Sequence, residues 1–148
     1  MGEHEPVWQS AGMMVDRARS DLAKSRVEIV SLVPPVQIYT DPIFVKVVYN
    51  LLENALRHGG AGLTRVLVSA EEREGGELVL LFEDDGVGVP DEEKERIFRH
   101  GIGKHTGLGP KLSRDILALT GICITETGIP GKGARFEIHI PPRSWKKA

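Results

Sequence analysis

Apolar residues along the chain recur with two spacings, one helical and one extended. Val7, Ala11, Met14, Val15, Ala18 and Leu22 fall mostly three and four apart, which predicts an amphipathic first helix over residues 7–22, packed on the body. Residues 27–33 and 36–39, split by Pro34-Pro35, read as two short strands. Asp41 offers an N-cap and Pro42 the favoured first helical residue, so a long helix is expected to about Arg57, stopped by Gly59-Gly60. Residues 64–70 and 78–83 form an expected hairpin whose second strand is almost wholly apolar and therefore buried. A short helix over 92–98, a glycine-rich loop, a helix over 108–119 ended by Gly121, and a closing hairpin of 122–127 and 135–140 complete the order. Strands and helices mix without regular βαβ alternation, which favours a two-layer α/β sandwich over a doubly wound sheet.

Composition narrows the classes. A chain of 148 residues with 41% hydrophobic content is the size of one domain with its own core. A net charge of −2 leaves no electrostatic footprint for nucleic acid, so no such partner is expected. The single Cys123, in the apolar run "GICI", reads as a reduced, buried thiol and fits a cytoplasmic location. No apolar run approaches the roughly 18 residues of a membrane span, and the first ten residues lack the pattern of a signal peptide. No direct membrane contact is expected; any anchor would belong to a longer protein.

Three polar constellations carry candidate chemistry. On the long helix, Asn50, Asn54, Arg57 and His58 fall within an arc of about 100°, with Val48, Leu51, Leu52 and Ala55 on the core side. Two carboxamides one turn apart present oxygen ligands suited to Mg²⁺, with Arg57 and His58 placed for phosphate or ribose. Taken alone, this stripe reads more readily as a solvated helix face, although asparagine is a poor choice for one. At the end of the buried strand, "DDGVG" offers Asp84 followed by Gly86 and Gly88. An ionised carboxylate there accepts from the exocyclic amine of adenine and repels the oxygen of guanine, and the glycines allow close backbone approach to a flat base. An acidic turn after a strand explains that stretch equally well, with Asp85 as a solvent-facing turn residue. Finally, "GIGKHTGLGP" is not a P-loop, because Phe98 stands where the first glycine belongs and His105 follows Lys104. Nor is it a dinucleotide fingerprint, since Thr106 replaces the third glycine and no strand leads in. Gly107 and Gly109, where a loop becomes a helix, have N–H groups placed for phosphate, with Lys104, His105 and Thr106 beside them; a glycine connector explains them as well.

In this order the motifs resemble the ATP-binding catalytic domain of histidine protein kinases, within the GHKL ATPase superfamily. "NLLENALRHG" resembles the N-box, "DDGVG" the first glycine box, Ile97-Phe98 the F-box, "TGLGP" the second glycine box and "GKGARFEIHIP" the last hairpin. The resemblance covers about residues 27–141 and implies a Bergerat fold: a mixed sheet of about five strands with helices packed on one face. Residues 1–26 are then a helix leading in from a missing dimerisation region, and 142–148 a tail. It implies that Asn54 and Asn50 serve the metal side, Arg57 and His58 the phosphate, ribose or base, and Asp84, Gly86 and Gly88 the adenine. Lys104, His105 and Thr106 belong to the lid, and Gly107, Leu108 and Gly109 to the phosphate turn. The implied cofactors are ATP and Mg²⁺, and the implied partners a histidine-bearing dimerisation domain and a response regulator.

Asn50 stands where gyrase-like and chaperone members of the superfamily place a water-activating Glu; an amide is no base, so hydrolysis is disfavoured. Glu53 is expected to point away from the asparagine arc. None of the five histidines sits on a dimerising hairpin, so the chain reads as an isolated ATP-binding module, excised or acting on a partner. Pro110 replaces the family's apolar residue after "GLG" and removes one N–H from the turn. The short interval from Phe98 to Gly107 resembles the lids of archaeal sensor kinases. The competing readings are an anti-sigma-factor-type serine kinase, which usually has Glu at the Asn50 position, and a non-catalytic nucleotide-binding regulator.

Overall fold

A computed structural model of the chain describes residues 5–22, 26–94 and 121–148. Within it the first expected helix divides. Residues Val7–Ser10 form strand β1, and helix α1 runs over Ala11–Asp21, with the Ser10 hydroxyl accepting from Met13 N (3.2 Å) as its N-cap. The helical spacing was real from Ala11 onward, where Ala11, Met14, Val15 and Ala18 are buried. Val7–Ser10 is instead drawn into an antiparallel pair with strand β3, Val36–Thr40, a partner distant in sequence.

Strand β2 (Glu28–Ser31) precedes β3, and helix α2 then spans Phe44–His58. The Asp-Pro start works as a turn just ahead of the helix: Asp41 Oδ1 accepts from Ile43 N (2.8 Å), and Ile43 holds the N-cap position. Phe44, Val47, Val48, Leu51 and Leu52 supply the apolar stripe that drives α2 onto the body. Strands β4 (Arg65–Glu72) and β5 (Leu78–Asp84) form the expected hairpin, and β6 (Cys123–Glu126) and β7 (Arg135–Ile140) the closing one.

These strands make a five-stranded sheet in the order β2-β4-β5-β7-β6, parallel only between β2 and β4. Its inner face, with Val66, Val68, Leu80, Phe82, Ile138 and Ile140, shares one core with α1 and α2. This is the expected two-layer arrangement, matching a five-strand mixed sheet and two helices.

A second sheet was not anticipated. Residues 142–148, expected as a tail, fold into a 3-10 turn and strand β8 (Trp145–Lys147), which pairs with β3 to give the order β1-β3-β8. Trp145 Nε1 donates to Gly76 O (2.8 Å), anchoring that strand to the β4–β5 connection. Cys123 is exposed rather than buried: it leaves Ile122 and Ile124 on the inner face and points outward, as β alternation requires. Of the expected helix over 92–98, a 3-10 turn at Asp91–Glu93 is present; residues 95–98 and the helix over 108–119 lie outside the described residues.

Candidate functional site

The site is built where the end of α2 meets the end of β5. Gly59 closes α2, its N–H bonded to Ala55 O (2.9 Å), and its carbonyl accepts from Val87 N (3.0 Å) in the turn after β5. A Cβ added to Gly86 would lie 2.6 Å from Gly59 O, so only glycine lets the two backbones touch. This contact places the asparagine-bearing helix against the acidic turn.

On α2, Asn50 and Asn54 are 6% and 9% exposed, which removes the solvated-face reading for both. The Asn54 carboxamide makes no hydrogen bond to another described residue, leaving its oxygen available. Asn50 also lines an open cleft of about 330 Å³ with Arg17, Asp21, Lys46 and Tyr49. Arg57 and His58, farther along the same arc, are exposed. Arg57 Nη2 pairs with Glu53 Oε2 at 2.8 Å, so Glu53 does not point away from the arc but flanks it. Partial burial of the ring, and then the Arg57 cation, hold His58 below its ordinary 6.5, which keeps it neutral at pH 7.

On β5, Leu80, Phe82 and Asp84 occupy the same face by alternation, so Asp84 turns its carboxyl toward the helix layer. Its Oδ1 accepts from Gly86 N (2.9 Å) and Ala134 N (3.1 Å). Burial raises its pKa; those two N–H groups oppose the rise, and the charges of Asp85 and Glu126 add to it. Gly88 takes a positive φ of 76° against the backbone of Gly133, and Gly131 N donates to Val87 O (2.7 Å), closing the floor of the turn. Asp85 faces solvent but does more than make a turn: its carboxylate accepts from Thr64 N (2.8 Å), Thr64 Oγ1 and Arg65 N (3.1 Å). The Thr64 hydroxyl, then the Thr64 and Arg65 amides, pull its pKa down to about 2.

Two polar residues of this region escaped the sequence reading. Glu126 follows Ile122 and Ile124 on the inner face of the sheet, and its side chain is fully buried against Lys94. A carboxylate at a core-facing position of an alternating strand was the legible signal. Lys104, His105, Thr106, Gly107, Leu108, Gly109 and Pro110 lie outside the described residues.

A mixed sheet with two helices on one face, an amide-bearing helix and a buried-strand aspartate followed by glycines define a GHKL-type nucleotide-binding domain. The comparisons agree: residues 40–144 match the family model described as "Histidine kinase-, DNA gyrase B-, and HSP90-like ATPase". The chain belongs to this family, as an ATP-binding domain of the sensor histidine kinase type. It is 38% identical over 101 residues to the alginate biosynthesis sensor protein KinB of Pseudomonas aeruginosa, covering 65% of this chain and 17% of that protein. To the sensor-type histidine kinase PrrB of Mycobacterium leprae it is 38% identical over 148 residues, covering 93% and 32% respectively. The chain therefore spans only a part of each curated relative. The solved ATP binding domain of PrrB from Mycobacterium tuberculosis superposes with a TM-score of 0.75 at 27% identity, over 93% of this chain and 97% of that one. The expectation of an archaeal-type kinase is not supported, since these relatives are bacterial.

Proposed function

We propose that the chain binds Mg-ATP at the α2–β5 junction and passes its γ-phosphoryl group to a histidine on a dimerisation domain, from which a response regulator receives it. The observation that carries this reading is the Asp84 carboxylate. Its Oδ1 is taken by two backbone N–H groups, and in this reading Oδ2 is the acceptor for an adenine amine. Gly86, packed on the Gly59 backbone, and Gly88, packed on Gly133 and Ile129, hold the turn beside it in place.

Asn54, with Asn50 one turn before it, fits a hard cation that retains several waters, because both are nearly buried and carry oxygen ligands. When bound, Mg²⁺ supplies charge neutralisation to the phosphates. Within the arc, neutral His58 donates or accepts a hydrogen bond, and Arg57 reaches a phosphate by leaving Glu53. Lys104, His105, Thr106, Gly107, Leu108 and Gly109 are assigned to the phosphate end. Asn50 offers no base for water, so the bound nucleotide is kept for transfer, with positioning as the main catalytic contribution. No helix among the described residues is long and apolar enough to cross a membrane, and we place this domain on the cytoplasmic side, where ATP is available.

Calorimetry with Asp84→Asn tests the reading. The two N–H groups hold the amide oxygen at the Oδ1 position, so the new NH₂ meets the adenine amine, donor against donor. ATP affinity is expected to fall at least about tenfold, the cost of losing a charge-assisted hydrogen bond. Unchanged affinity would remove the adenine assignment.

A further inference from the structure

The buried pair Lys94–Glu126 sits behind the adenine side of the site and is used by none of the roles above. Glu126 has a side chain with 0% exposure, and Lys94 one with 21%. Lys94 Nζ contacts Glu126 Oε1 and donates to Gly128 O (2.9 Å). The other carboxylate oxygen, Oε2, accepts from Gly128 N (3.1 Å) and Arg135 N (2.8 Å). One carboxylate therefore ties together both ends of the β6–β7 connection. Ala134, next to Arg135, exchanges two bonds with Asp84: Asp84 N donates to Ala134 O (3.0 Å), and Ala134 N to Asp84 Oδ1.

We propose that Lys94 and Glu126 are positioning residues for Asp84, fixing through the β6–β7 turn the carboxylate orientation that nucleotide recognition uses. The use of that orientation rests on the reading of Asp84 as the adenine acceptor; the positioning itself does not. A buried carboxylate without a cation is costly, so Lys94 is what allows Glu126 to hold the turn as an anion. Removing either partner alters both the turn and the charge near Asp84. Among the described residues, the other charged groups near Asp84 are Asp85 and Glu83 on its own segment, Arg65 on β4 and Arg135 on β7, and they remain in every variant.

The full chain is compared as wild type, Lys94→Met, Lys94→Arg and Glu126→Gln. ATP affinity is measured by calorimetry from pH 5 to 8, and the Asp84 carboxyl is titrated by ¹³C NMR without nucleotide. Lys94→Met is expected to weaken ATP on the order of tenfold, to raise the Asp84 titration point and to move the acid loss of affinity upward. Glu126→Gln, which keeps an oxygen for the turn but removes the charge, is expected to lower the Asp84 titration point, and Lys94→Arg to restore wild-type behaviour. Opposite Asp84 shifts report the two charges alone, so the Ala134 amide resonance, which follows its bond to Asp84 Oδ1, is read alongside and is expected to move in Lys94→Met and to stay near wild type in Lys94→Arg. An Ala134 amide resonance unmoved in both Lys94→Met and Glu126→Gln, whatever the Asp84 titration does, would overturn the proposal. Normal NMR shifts in a chain that fails to bind ATP would instead overturn the nucleotide reading and leave the positioning role standing.

Discussion

At the end of β5, Asp84 turns its carboxyl toward the helix layer, while Asp85, one residue on, faces solvent and ties down Thr64 and Arg65. Their titrations have opposite consequences. Because burial raises the Asp84 pKa in the fold, acidification through that raised value favours the folded chain at this residue. The same protonation places a hydrogen on the oxygen that faces adenine, so ATP affinity is expected to fall with pH above the range of an ordinary aspartate. Calorimetry across pH 4 to 7 on wild type checks this, and Asp84→Asn should flatten the profile. Asp85 is depressed from 3.8 to about 2, so its stabilisation is complete above the ordinary value and is lost as pH falls through about 2. Asp85→Ala is expected to cost about 1 kcal/mol at pH 7, since its hydrogen bonds are exposed and screened, and urea unfolding measures it. The sequence marked Asp84 through its place after an apolar strand. It marked Asp85 only as a solvent-facing turn residue, because Thr64 becomes its partner only when β4 and β5 pair.

Helix α2 and strand β5 bring the candidate groups together through two glycines instead of side chains. Gly86→Ala forces its new Cβ into Gly59 O, and relief requires the turn to move off the helix. An overpacking cost of about 1 to 3 kcal/mol is expected, together with weaker ATP binding. Thermal unfolding and calorimetry read the two effects separately. The α2 stripe was legible because its apolar positions repeat every three or four residues over four turns. The fate of its polar arc was not legible. Asn50 and Asn54 are covered by the body, whereas Arg57 and His58 pass beyond it, a difference set by where the sheet ends and not by helix period.

Across the whole molecule, the β1-β3-β8 sheet joins segments that begin and end the described chain. Trp8 packs on Tyr39 with ring centroids 5.2 Å apart, and Lys146 Nζ lies 4.3 Å from the Trp8 ring. Trp145→Ala removes the Gly76 hydrogen bond and a partly buried ring, with an expected loss of about 2 to 3 kcal/mol in chemical denaturation and little change in ATP affinity. Strands of three or four residues such as Val7–Ser10 and Trp145–Lys147 have too few positions for a period to emerge, which is why the first was read as helix and the second as tail. By itself the sequence determined the long α2 helix, both β-hairpins, the order of the motifs and hence the family, since each depends on local period, on turn residues or on motif spacing. Only the tertiary structure decided that the asparagines are covered, that Glu126 is buried with Lys94 behind Asp84, and that strands β1 and β8 share a sheet. Those are contacts between residues tens of positions apart, and burial is a property of what the rest of the chain places against a side chain.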